Sequence, residues 1–146
     1  MATRHSGDEA AIRQRIDELV EAVRAMDLDA VKPLYAPDIV SFDVQPPLQH
    51  VGVEAKSRNW TDVFTAFQRP LAYEIRDLTI TSGGDVAFAH AFGRLSGTLQ
   101  SGATGGFWVR TTICFRMLGG TWLIAHDHVS VPLDVESGRG RLDLEP

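Results

Sequence analysis

The feature that most constrains this chain is a change of hydrophobic period near residue 70. Before it, apolar residues recur at helical spacing: Ile12, Ile16, Leu19, Val20 and Val23 in one stretch, Trp60, Phe64 and Phe67 in another. After it the period falls to two, with Val86, Phe88, His90 and Phe92 alternating against Ala87, Ala89, Ala91 and Gly93. Helices gathered first and strands gathered last predict an α+β domain, three helices packed on one face of a strongly curved, mainly antiparallel sheet.

Local signals place the boundaries. Met1 to Gly7 reads as a loose start, and Ser6 with Glu9 forms a capping box for a first helix from about Asp8 to Met26. Asp27 or Asp29 caps a short second helix over Ala30 to Tyr35, ended by Ala36-Pro37-Asp38. A first strand runs from Ile39 to Val44, followed by a loop from Pro46-Pro47 through Val51. The third helix spans about Val53 to Phe67 and stops at Arg69-Pro70. Strands are then expected over Leu71–Thr81, Val86–Leu99, Phe107–Met117 and Thr121–Val131, with Gly119-Gly120 as the last tight turn. Residues 1–133 read as a single domain and 134–146 as a polar, disordered or loosely docked tail.

Composition narrows the function. At 146 residues one core suffices. A net charge of −5 with no basic cluster argues against nucleic acid. One cysteine, Cys114, forms no internal disulfide and suits a reducing, cytoplasmic setting. No apolar stretch reaches bilayer length or signal-peptide character, so no membrane association is expected.

The order of elements, together with Ala25-Met26-Asp27-Leu28-Asp29, Leu34-Tyr35-Ala36-Pro37-Asp38, Phe42-Asp43 and the closing Trp122-Leu123-Ile124-Ala125-His126-Asp127-His128-Val129-Ser130, resembles the nuclear transport factor two-like superfamily. That group includes ketosteroid isomerases and SnoaL-like polyketide cyclases. The resemblance covers about residues 8 to 132 and implies a cone with an apolar pocket, and a homodimer through the outer sheet face. It also implies that Asp43 stands where the isomerases carry the Asp that abstracts a proton beside a carbonyl. Leu19 stands where they carry a catalytic Tyr, and Trp108 and Arg110 lie near their second oxyanion donor. One of three catalytic positions is retained, which implies a relative with different chemistry.

The residues themselves offer candidates. Asp43, in an otherwise apolar strand, suits a general base, or else accepts backbone N–H bonds at a strand end. His126 and His128, two apart, share a strand face with Trp122 and Ile124, and line the cavity if that face meets the helices; Asp127 points the other way. Arg110 and Trp108 either hold an anionic or flat ligand or sit at a dimer interface. Trp60 and Tyr73 would wall the pocket. His90 joins them as a further binding candidate. Paired histidines with His90 or His50 suggest a metal only weakly, so no metal and no cofactor is expected.

Three functions compete. The first is cofactor-free acid–base catalysis on a small apolar carbonyl compound, favoured by a contact between Asp43 and a pocket histidine. The second is a non-catalytic small-ligand binder, favoured by a pocket without such a contact. The third is an association domain, favoured by a filled cone.

Overall fold

The computed structural model describes residues 2–146, with side chains from Gly7 onward. Helix α1 (Ala2–Arg24) lays Ile12, Ile16, Leu19 and Val23 into the core. It starts earlier than expected, so Ala2 to Gly7 is helical and not a loose lead-in; the Ser6 side chain of the expected capping box lies outside the described residues. Asp27 caps α2 (Leu28–Val31) by accepting from the Ala30 N–H at 3.2 Å, as the sequence indicated. A 3₁₀ turn, Lys32–Leu34, leads into β1 (Tyr35–Phe42). β2 (His50–Val51), α3 (Val53–Ala66), β3 (Ala72–Gly83), β4 (Val86–Thr98), β5 (Thr104–Leu118) and β6 (Thr121–Ser130) follow, and β7 (Leu133–Asp134) with β8 (Arg139–Gly140) closes the chain.

The main sheet has the order β2-β1-β6-β5-β4-β3, antiparallel throughout except for the parallel β1–β6 pair. It stays open, with β2 and β3 at its edges. The helices cover one face. There Ile12, Ile16 and Val23 meet Ala89, Ile113, Phe115, Trp122 and Ile124, all nearly or fully buried. Ala87, Ala89, Ala91 and Gly93 keep the inner face of β4 low, which leaves room for larger side chains packed against it. Arg24, at the end of α1, donates from Nε and Nη2 to the Tyr73 carbonyl at 3.1 and 2.8 Å and so ties that helix to β3.

Three departures from the expected elements have physical reasons. Ala36-Pro37-Asp38 belongs to β1 and does not end a helix; the ladder to β6 is interrupted between Tyr35 and Val40, where a proline without an N–H is tolerated. The end of the expected loop, His50–Val51, pairs with Ser41 and Val40 as an edge strand. The tail folds into the β7–β8 hairpin, with Gly140 against Val131 and the Arg141 N–H on the Pro132 carbonyl at 2.8 Å.

A fourth departure governs the site. Phe115 pairs with Ile124 but Cys114 pairs with His126, so Ala125 is an extra residue in β6. Beyond this bulge the alternation reverses. Trp122 and Ile124 face the helices, and so does Asp127, opposite buried Ile113 and Ser41. His126 and His128 turn to the outer face.

Gly106 is the tightest glycine. Its φ is +145°, and an added Cβ would lie 2.6 Å from the Ser96 Cβ and 2.8 Å from the Leu95 carbonyl oxygen. Gly106→Ala is expected to cost about 1–3 kcal/mol from the backbone conformation alone, with the clash in addition. Gly119→Ala, in an open turn, should cost clearly less; urea unfolding of the two variants checks the order.

Candidate functional site

Among the described residues the interior contains one charged cluster, assembled by α3, β1 and β6. Lys56 lies on the face of α3 that also carries Trp60 and Phe64, four and eight residues on, and its side chain is only 3% exposed. Its Nζ pairs with Asp127 Oδ2 at 3.1 Å and donates to Ser41 Oγ at 3.0 Å. Ser41 Oγ in turn donates to Asp127 Oδ1. The ammonium also sits 5.5 Å from the Trp60 ring centre and 5.9 Å from that of Tyr35. Each charge is thereby compensated, as a buried ion pair requires.

Above this base sit two phenols. The Trp60 indole N–H donates to Tyr35 Oη at 2.7 Å. That bond uses the oxygen as acceptor and leaves the Tyr35 hydroxyl hydrogen without an acceptor among the described residues. Burial, reinforced by the Asp127 anion, pushes the Tyr35 phenol well above its ordinary range. Tyr73, paired with Leu95 on the inner face, is raised as well, by burial first and then by the anions of Asp127 and Asp43. Asp43 lies just past the end of β1. Its Oδ2 accepts from Asn59 Nδ2 at 2.6 Å and its Oδ1 from the Val44 N–H at 2.6 Å. A half-buried carboxylate, two tyrosines and an ion pair thus face one region walled by Trp60 and Phe64, stacked at 5.7 Å.

Of the residues singled out in the sequence, Asp43, Trp60 and Tyr73 gather here. Five others lie on the opposite face of the sheet. His126 faces Val40 and Cys114, and its Nδ1–H donates to the Val40 carbonyl at 2.6 Å. His128 faces Phe42 and Thr112, and both imidazoles meet the Phe42 ring edge-on. His90 faces Thr79 and Thr112. Arg110 donates to Ser130 Oγ at 3.2 Å, and Trp108 lies under the Arg76 guanidinium at 4.5 Å. The expectation that the histidine pair lines the interior is corrected by the Ala125 bulge, and neither histidine contacts Asp43. Burial also raises the Cys114 thiol, with Asp127 adding to the shift, which keeps it unreactive. No group of three or more His, Cys, Asp or Glu side chains placed to hold a metal occurs among the described residues.

Sequence reasoning missed Tyr35, Ser41, Lys56, Asn59 and Asp127. Lys56 had a signal: it stands on the apolar stripe of its helix. Asp127 had none, because nothing in the alternation announces the bulge. The crevice between Ile16, Ile75, Ala89, Thr111 and Ile113 holds no room for a water, and an open hollow of about 590 Å³ lies outside α3, beside Pro47, His50, Arg58 and Asn59.

Tyr35 and Tyr73 are the only tyrosines, which makes their ionisation directly readable. Both phenols are raised in the folded state, so the unfolded chain loses these protons first. Their contribution to stability is complete below pH ~10 and declines as pH rises beyond it. Phenolate absorbance is therefore expected to stay absent from the folded protein at pH 10–10.5 and to appear together with alkaline unfolding. A gradual rise near pH 10 with the circular dichroism unchanged would contradict this environment.

A model of the SnoaL-like domain matches residues 12–134. Among solved structures, an NTF2-like protein of unknown function from Pseudomonas putida superposes with a TM-score of 0.88 at 33% identity, covering 97% of this chain and 98% of that one. An NTF2-like superfamily protein from Salmonella enterica gives 0.80 at 19% identity, covering 93% and 99%. A putative scytalone dehydratase from Novosphingobium aromaticivorans gives 0.80 at 12% identity, covering 88% and 87%. No curated protein matches the chain. The fold, the matched span and the nearly full-length likeness place it: the chain belongs to the SnoaL-like domain family of the NTF2-like superfamily.

Proposed function

We propose that this chain is a small-molecule pocket protein that performs cofactor-free acid–base chemistry on a small, mostly apolar carbonyl compound. The observation that carries the reading is the Tyr35 hydroxyl. It is buried, its oxygen is occupied by the Trp60 N–H, and its hydrogen is free to donate beside a carboxylate held in place by Asn59. Asp43 takes the proton next to the carbonyl, and Tyr35, with Tyr73 at its side, donates to the oxygen as negative charge develops there. Asp43 then returns the proton to carbon or to a leaving hydroxyl, the common thread of isomerisation, cyclisation and dehydration. The Lys56 cation, compensated by Asp127, fixes Tyr35 and Trp60 from below. Trp60 and Tyr73 wall the ligand, beside the half-buried aromatics Phe64 and Phe67.

His126 and His128 have no step in this scheme. With His90, Arg110 and Trp108 they belong to the outer sheet face, through which we propose that two copies pair in a reducing cytoplasm. Because neither histidine contacts Asp43, a non-catalytic small-ligand binder built on the same residues is a second reading. An association domain draws support from the crevice between Ile16, Ile75 and Ile113, which has no room for a water.

Deuterium incorporation next to the carbonyl of uncharged aromatic ketones, followed by NMR in D₂O, tests the chemistry. Wild-type protein is expected to catalyse the exchange, Asp43→Asn to abolish it, and Tyr35→Phe to slow it by roughly 10²–10³-fold, the usual effect of losing one oxyanion donor. Exchange that is indifferent to Asp43→Asn would contradict the assignment, and the absence of exchange across the panel would favour the non-catalytic readings, binder or association domain.

A further inference from the structure

The tail is patterned in a way the fold of one copy leaves unused. Leu133-Asp134-Val135-Glu136 and Leu142-Asp143-Leu144-Glu145 both alternate apolar and acidic residues. The four apolar side chains are exposed, Val135 by 86% and Leu133 by 62%. The segment bonds mostly to itself: Asp143 pairs with Arg141 at 2.9 Å, the Gly138 N–H donates to the Asp134 carbonyl, and the Arg141 N–H reaches back to Pro132. Among the described residues, Asp134, Glu136 and Glu145 have no cation partner.

The outer sheet face is complementary. Val86 and Phe88 are exposed there, 59% and 47%, in a row with Phe92. Its charges are chiefly basic. Arg76 pairs with Glu74 and Arg116 with Asp38, while Arg94, cross-strand from Glu74, and Arg110 make no ion pair among the described residues. The tail departs from β6 just beyond Ser130, the partner of Arg110, at the margin of this face.

We propose that the tail, residues 133–145, docks on the outer sheet face of a second copy. Leu133, Val135, Leu142 and Leu144 cover exposed apolar residues such as Phe88, and Asp134, Glu136 and Glu145 meet Arg94 and Arg110. The occupant is a second copy because within one chain the hairpin turns back on Pro132 and leaves these groups open. Exchange of two tails adds apolar area and buried charge pairs to the contact between the sheets. The inference rests on the pairing of two copies through this face; it is independent of the chemistry at Asp43.

Sedimentation velocity on the full chain, on a chain ending at Pro132, and on Leu142→Ser/Leu144→Ser tests it. A concentration-dependent dimer of the full chain is expected, with Kd raised at least tenfold in both altered proteins while their circular dichroism is retained. In a Cys114→Ser background, a mixture of Val135→Cys and Arg94→Cys copies should cross-link between the two variants. A full chain that stays monomeric overturns the pairing and the tail contact together. An equally tight dimer without the tail, or with the two serines, overturns the tail contact alone and leaves the paired sheets standing.

Discussion

The ion pair between Lys56 and Asp127 is the interaction on which the site depends. It joins α3 to β6, and through Ser41 it joins both to β1, so three elements distant in sequence are fixed against one another. Removing one partner alone would leave a buried charge uncompensated, at a cost of order 3–5 kcal/mol. Replacing both by apolar residues would cost far less. The arrangement is therefore better understood as positional than as stabilising: it holds Trp60 and Tyr35 where the indole can occupy the phenol oxygen.

The two faces of the sheet divide the work. The inner face carries small residues on β4, large apolar ones on β5 and β6, and the polar cluster at one end. The outer face carries three histidines, four arginines and several half-exposed aromatics. One extra residue, Ala125, decides which face each group at the end of β6 joins. Without the bulge His126 and His128 would enter the core and Asp127 would leave it, so Lys56 would lose its counter-ion.

Much of the fold was legible because its signals are local. The helical stripe of α1, the cap at Asp27, the period-two run of β4 and the turn at Gly119-Gly120 each follow from a few adjacent residues. The site was legible only in part. Asp43 is marked by its apolar surroundings, and Lys56 by its place on the Trp60 stripe. Tyr35 becomes a donor only because Trp60, twenty-five residues later, takes its oxygen. The Ala125 bulge depends on how β6 pairs with β5, which no alternation within β6 records. The hairpin in the tail lies in polar sequence with no periodic signal, and its strands are two residues each.

In the proposed scheme Tyr35 presents a free, interior hydroxyl donor to a ligand oxygen. The most direct test is ¹H NMR of the slowly exchanging hydroxyl proton during titration with a series of substituted phenols, which imitate an enolate oxygen. A downfield resonance that moves with the acidity of the bound phenol and is lost in Tyr35→Phe is expected. A resonance that ignores the series, or one that survives in Tyr35→Phe, would contradict it.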